Sequence, residues 1–224
     1  MDKINLIIPA KEEISNLFFI IKPLLKRNEI NKIILVLHKK NNKKFINNRK
    51  LKVIIQKKSG YGAAIKEGFK ISNSKYSCIF NADGSFNAKD LPKMIKLSKN
   101  NDFIFASRYL KGAGSDDDNI ITLCGNFIFS LLGRLLLNVN LRDILYTYVL
   151  CNTKKFNRLN LSSNDFRFCI EFPYKVVEKK FNYTQIKSKE FKRKFGVKNV
   201  NELKDGFLIF TEVLKCFLKR ILKM

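Results

Sequence analysis

The feature that most constrains this chain is an alternation in its first half. Short apolar runs at Ile4–Ile8, Ile33–Leu37, Val53–Ile55, Tyr76–Phe80 and Phe103–Ala106 read as strands. Between them lie stretches of helical period. Glu12–Lys26 carries Ile14, Leu17, Phe18, Ile21 and Leu25 on one face; Ser59–Ile71 opens with Ser-Gly-Tyr-Gly, and Asp90–Leu97 comes after it. Runs that are apolar throughout suit strands buried on both faces, and their alternation with helices predicts an α/β fold with a mostly parallel central sheet.

After residue 107 the pattern changes. "KGAGSDDDN" reads as a loop, Ile120 to Leu137 as a long apolar stretch, and "LRDILYTYVLCN" as strand-like. A helix from Phe172 to Lys180, a strand over Tyr183–Ile186 and a basic loop, "KEFKRKFGVKN", come next. Leu203 to Leu222 is amphipathic. The economical division is one domain over 1–202, with 203–224 as a C-terminal helix packed on it or lying at a membrane surface.

Composition removes several kinds of chemistry. His38 is the one histidine in 224 residues, which argues against a histidine triad or a His-ligated metal. Cys78, Cys124, Cys151, Cys169 and Cys216 lie far apart without metal-ligand or redox spacing, as buried reduced thiols of a cytoplasmic protein do. The N-terminus passes directly into the first strand, so no signal peptide is expected, and no stretch offers about 18 uninterrupted apolar residues. The net charge of +25 predicts attraction to polyanions. Lysine is spread along the whole chain, however, so charge alone selects no partner. No zinc spacing or nucleic-acid-binding signature accompanies it, and no nucleic-acid partner is expected.

In open α/β sheets ligands bind beyond the C-terminal strand ends. "PAKEE" and "FNADGSF" both sit at such ends. Residues 81 and 83 of an extended chain point to one side, so Asn81 and Asp83 would face a common spot. Mg²⁺ suits such a pair, because it takes one or two carboxylates and completes its shell with water and substrate phosphates. Asp83-Gly84 is also a common turn, and by itself the motif fits a purely structural turn as well.

The whole set of segments resembles the family 2 glycosyltransferases of GT-A (Rossmann-like) fold, closest to the polyprenyl- or dolichyl-phosphate mannose and glucose synthase branch. The resemblance rests on "LIIPAKEEISNL", "SGYGAAIKEGF", "CIFNADGSF", "FASRYLKG", "DFRFCIEFPYKV" and "KRKFGVKN", in order. It implies a mostly parallel sheet with helices on both faces. It also implies a nucleotide-sugar donor, Mg²⁺ or Mn²⁺, and a lipid-phosphate or glycan acceptor.

By the same resemblance Pro9, Ala10, Lys11 and Glu13 would line base and ribose. Asn81, Ala82 and Asp83 would hold ribose, diphosphate and metal, with Asp83 and Asn81 as the metal ligands. Arg108 and Arg193 would grip phosphates, with Lys198 beside them. The chain departs from the family in five places, one being that no Arg follows the Asp143–Tyr148 stretch where the mannose synthases have one. Lys11 and Glu12 stand where Tyr and Asn are usual, Asn81 replaces the first acid of an Asp-x-Asp motif, Leu37-His38-Lys39 lacks the acids that fix the base, and Lys198-Asn199 replaces Ser-Lys.

A phosphate acceptor is ionised near neutral pH, its second pKa being about 6, and needs no general base. A hydroxyl acceptor needs one, and Asp143 is then the candidate. Asp116, Asp117 and Asp118 are expected to cap the next helix. The apolar stretch at 120–137 is either a core helix or one lying on a bilayer. The last helix, with Lys215, Lys219, Arg220 and Lys223, suits an anionic membrane face, hence peripheral association at the cytoplasmic side. The competing expectations are a catalytically degenerate GT-A fold and a basic polyanion-binding protein.

Overall fold

The computed structural model describes residues 2–11, 17–39, 47–194 and 202–222. Strands β1 (Ile4–Ala10), β2 (Ile30–Leu37), β3 (Leu51–Ile55) and β4 (Tyr76–Ile79) run parallel, with β1 between β2 and β4. Strand β5 (Phe103–Ser107) is separated from β4 by β7 (Val149–Asn152), which runs antiparallel to both. Strand β8 (Tyr183–Lys187) pairs parallel with β5, completing the order β3-β2-β1-β4-β7-β5-β8. Two short strands, β6 (Gly114–Ser115) and β9 (Lys189–Glu190), form a separate parallel ladder. The mostly parallel sheet expected from the sequence is therefore present, with one antiparallel strand inserted.

Helices cover both faces. Leu6, Ile8, Cys78 and Ile104 pack under α1 (Leu17–Leu25) and α3 (Leu91–Leu97). Ile7, Ile79, Phe103 and Phe105 pack against the other layer, α2 (Tyr61–Ile71), α5 (Thr153–Asn157) and α6 (Phe168–Glu178). Each such buried side chain contributes about 2 kcal/mol, so the sheet and its two covers carry most of the stability. Asn5, fully buried in mid-strand, has both ends of its amide satisfied. Its Nδ2 donates to Ser72 Oγ at 2.8 Å and its Oδ1 accepts from Asn31 at 3.0 Å.

Pro9 lies inside β1 rather than ending it. Its missing N–H faces the β4 side, where Ile7 O already accepts the last bond, from Phe80 N, while Ala10 O on the β2 side accepts from His38 N. No ladder bond is lost there, so proline is tolerated. Of the strand-like stretch at 141–152 only Val149–Asn152 is strand, and α6 begins at Phe168, a turn earlier than the periodicity implied.

Helix α4 (Ile120–Leu137) is capped by Asn119, whose side chain accepts from Thr122 N while the Thr122 hydroxyl accepts from Asn119 N. The three aspartates expected to cap it are engaged elsewhere. α4 is also long and apolar enough to cross a membrane by length and composition, which the uninterrupted-run criterion missed because Asn126 and Arg134 break the run. It carries Cys124 on its exposed side, so four of the five cysteines are buried rather than all of them. Helix α7 (Glu202–Leu222) packs on α4 and α6 through Ile209, Val213 and Cys216, and Arg220 Nη1 donates to Leu136 O of α4 at 2.7 Å.

Candidate functional site

A cleft of about 470 Å³ opens at the C-terminal ends of the strands. Strands β1 to β5 each contribute residues at or just beyond their ends: Pro9, Ala10 and Lys11 from β1, His38 after β2, Gln56 after β3, Asn81, Ala82 and Asp83 after β4, and Arg108 after β5. Arg193 borders it from the basic segment. Glu13 and Lys198, expected at the nucleotide, lie outside the described residues.

Asp83 is 8% exposed and its Oδ1 accepts from Ser85 N at 2.9 Å and Ser85 Oγ at 2.7 Å. Among the described residues nothing donates to its Oδ2. Burial pushes the carboxyl above its ordinary range, and the Ser85 bonds and Arg193 offset part of that. Gly84 comes next with φ +82°, a conformation open to glycine, so the turn holds the carboxylate at the strand end. The segment after β9 is stitched to this turn: Phe191 N donates to Ser85 O and Lys194 N to Asp83 O, both at 2.9 Å.

Arg193 is held by Asp117. Its Nη2 lies 2.8 Å from Asp117 Oδ2, and its backbone N donates to Oδ1 at 3.1 Å. Burial works against the guanidinium charge, and Asp117 more than offsets it, so Arg193 stays protonated. The β6–β9 ladder brings these two loops together, and Ser115 Oγ accepts from Asp117 N and Asp118 N while donating to Glu190 at 2.7 Å.

Arg108 and Asp143 require a correction of roles. Arg108 donates from Nε and Nη2 to the two oxygens of Asp143 at 2.8 and 2.9 Å. Its Nη1 donates to Glu190 at 3.0 Å, and its plane lies 4.6 Å from the Tyr146 ring centre. A guanidinium so occupied has little left for a phosphate. Asp143 is 1% exposed, does not line the cleft and is paired through both oxygens with Arg108, so it does not face a hydroxyl acceptor. Arg108 and Asp143 thus form the floor that positions the acidic loop.

Sequence reasoning missed several lining residues. Tyr61, next to Gly60, stacks on Phe166 at 5.3 Å; its hydroxyl lies 2.5 Å from Thr147 Oγ1 and donates to Asn81 Oδ1 at 3.3 Å. Gly60 has φ +115°, and a Cβ there would overlap the Asn164 carbonyl, which fixes where α2 starts and so where Tyr61 stands. At the far end Gln56 Nε2 lies 3.2 Å from His38 Nδ1. Asp117, Asp118 and Glu190 enter through tertiary pairing that no local pattern announces.

Among the described residues Asp83, Asp117, Asp118 and Glu190 line the cleft against Lys11, Arg108, Arg193 and His38, in a protein of net charge +25. Among the described residues no three His, Cys, Asp or Glu side chains gather as a ready-made metal cage. The donor set fits a hard divalent cation held by one carboxylate and completed by a diphosphate.

A family model described as "Glycosyl transferase family 2" matches residues 6–159. No curated protein matches the sequence. Among solved structures the chain is similar to glucosyl-3-phosphoglycerate synthase from Mycobacterium tuberculosis. In complex with Mn²⁺, UDP and glucosyl-3-phosphoglycerate that synthase superposes with a TM-score of 0.68 at 9% identity, covering 96% of this chain and 80% of the other. In complex with Mn²⁺, UDP-glucose and phosphoglyceric acid the TM-score is 0.68 at 10% identity, with the same coverage.

Proposed function

This chain belongs to glycosyl transferase family 2, and from that premise we propose that it moves a sugar from a nucleoside diphosphate sugar to a polyprenyl phosphate. The observation that carries the donor half is Asp83: a carboxylate at the end of β4, one oxygen fixed by Ser85 and the other directed by no described donor, beside a protonated Arg193. The donor class is also that of the mycobacterial synthase, which is solved with UDP-glucose.

In this reading Asp83 holds Mg²⁺ or Mn²⁺ with Asn81 beside it, and Pro9, Ala10, Lys11, His38 and Gln56 face the nucleoside. When bound, the cation neutralises charge on the diphosphate. Arg193, oriented by Asp117, presents its guanidinium where negative charge collects as the anomeric C–O bond breaks. An oxygen of the acceptor phosphate forms the new bond to the anomeric carbon from the opposite face, with inversion, and the nucleoside diphosphate departs. No proton leaves the attacking oxygen, so no base is needed, in keeping with Asp143 lying outside the cleft and committed to Arg108.

Calorimetric titration with UDP- and GDP-sugars, with and without Mn²⁺, tests the donor half. Metal-dependent binding of one nucleotide supports it. Absence of binding with either nucleotide and metal overturns it and favours a degenerate GT-A fold.

A further inference from the structure

Helix α4 is amphipathic the wrong way round for a water-facing helix. The stripe turned inward carries Asn126, Ser130, Gly133 and Leu137, whereas the stripe turned outward carries Cys124, Phe127, Ile128, Leu131 and Leu135. Phe127 is 62% and Leu135 68% exposed. The inner stripe is built into the fold. Asn126 donates to the Tyr109 hydroxyl at 2.8 Å, Ser130 Oγ accepts from Ile144 N at 3.1 Å, and a Cβ on Gly133 would crowd Ile144. The outward apolar stripe is therefore not a slipped core face, because the inner face is already specified.

Helix α7, packed beside α4, repeats the arrangement. Leu203, Phe207, Phe210, Leu214, Leu218 and Ile221 fall on one exposed line at helical spacing. Lys204, Lys215 and Lys219 run alongside that line, each one position further round the helix. Of the acids of α7, Glu212 is buried and paired with Lys215, while Glu202 and Asp205 lie in the first turn beside Lys204; α4 contains no acid.

We propose that the outward face of α4 and α7 docks on an anionic lipid bilayer and holds the cleft close above the headgroups. The inference deepens the proposed function by naming where its acceptor is met, and rests on it for that acceptor alone. Two exposed apolar stripes on neighbouring helices are of a kind that soluble monomers rarely carry, and Lys219 beside one of them, with the net charge of +25, complements an acidic lipid surface. The helices lie in the interface rather than span it, because the inner face of α4 is hydrogen-bonded into the fold and cannot leave it. Geometry ties the surface to the site. Thr122 and Asn126 of α4 and Ile209 of α7 line the cleft, so the cleft and the bilayer lie on opposite sides of one helix. A helix is about 10 Å across, so docking by the outward face sets the cleft about one helix diameter above the lipid surface.

Flotation of the full chain tests this, using phosphatidylcholine vesicles with and without phosphatidylglycerol. The expected result is flotation with the phosphatidylglycerol vesicles, lost in Phe127→Ser/Leu131→Ser and in Phe207→Ser/Leu214→Ser. Lys219→Glu should weaken binding by roughly twenty-five-fold at low salt, two charge steps of about fivefold each. All substituted residues are exposed, and circular dichroism verifies that the variants fold. A wild-type chain that stays at the bottom with both vesicles overturns the proposal. So does a stable dimer in solution that Phe127→Ser/Leu131→Ser dissociates, since a second copy would then own the face. Donor titration in the absence of lipid separates the two claims: donor binding without flotation removes the surface only, and flotation without donor binding removes the transfer reading only.

Discussion

Arg108 and Asp143 meet in a two-pronged ion pair, Nε to Oδ2 at 2.8 Å and Nη2 to Oδ1 at 2.9 Å, with Asp143 1% exposed. Arg108 N donates to the same Oδ2 at 3.0 Å, so the carboxylate also fixes the backbone after β5. Removing one partner from such a pair strands the other charge. Asp143→Ala is expected to destabilise the protein by about 3 to 5 kcal/mol. Urea unfolding measures it. A variant of unchanged stability that had lost only turnover would return Asp143 to the role of a base.

Asp83→Asn should keep the fold, since an amide oxygen still accepts from Ser85. Metal-dependent donor binding should fall on the order of a hundredfold or more. A titration of the variant that matches the wild type would remove Asp83 from the site.

The raised pKa of Asp83 gives a signed pH dependence. The folded carboxyl holds its proton to higher pH than the unfolded one. Its contribution to stability is therefore full below the unfolded pKa, about 3.9, and is lost as pH rises through the folded value. Without metal, the stability of the wild type relative to Asp83→Asn should decline over that interval. A constant difference across mildly acidic pH would contradict the assignment.

Glu171 runs the opposite way. It is buried, which raises its pKa, but Ser162 N, Ser162 Oγ and Ser163 N donate to it at 2.7 to 2.8 Å and hold it below the ordinary carboxylate range. The stability it adds is present above the unfolded pKa and lost as pH falls through the folded one. Glu171→Gln should cost about 1 to 3 kcal/mol at neutral pH and progressively less in acid. Denaturant titrations at a series of pH values decide this.

Tyr61→Phe removes the hydroxyl that joins Asn81 to Thr147. Loss of about 1 kcal/mol of orientation should weaken donor binding by roughly fivefold with little effect on unfolding. Combining it with Thr147→Val in a double-mutant cycle should show the two effects to be non-additive.

The sheet was legible because parallel strands buried on both faces are apolar throughout, as Ile33–Leu37 shows, and because Asn81-Ala82-Asp83 ends such a run. The roles of Arg108 and Asp143 were not. Nothing near residue 143 tells that its carboxylate faces a guanidinium 35 positions away, rather than the cleft. The aspartates before α4 were assigned to its cap on proximity, yet Asn119 has the reach for the cap and Asp117 the reach for Arg193. Glu190 enters only through the β6–β9 ladder, two residues a side, too short to leave a pattern.

The position of β7 governs the order in which this molecule can be completed. Its four residues fill the slot between β4 and β5, so the middle of the sheet stays open until residue 152 is available. A nascent chain that has made β1 to β5 still has two unsatisfied strand edges facing one another across a gap, and closing it brings together segments far apart in sequence. Assembly of the two halves should therefore be slow and late, with the amides of β7 and those of β4 and β5 that face it gaining exchange protection in a single step during refolding. Protection of those β4 and β5 amides well before β7 would show that the gap closes some other way.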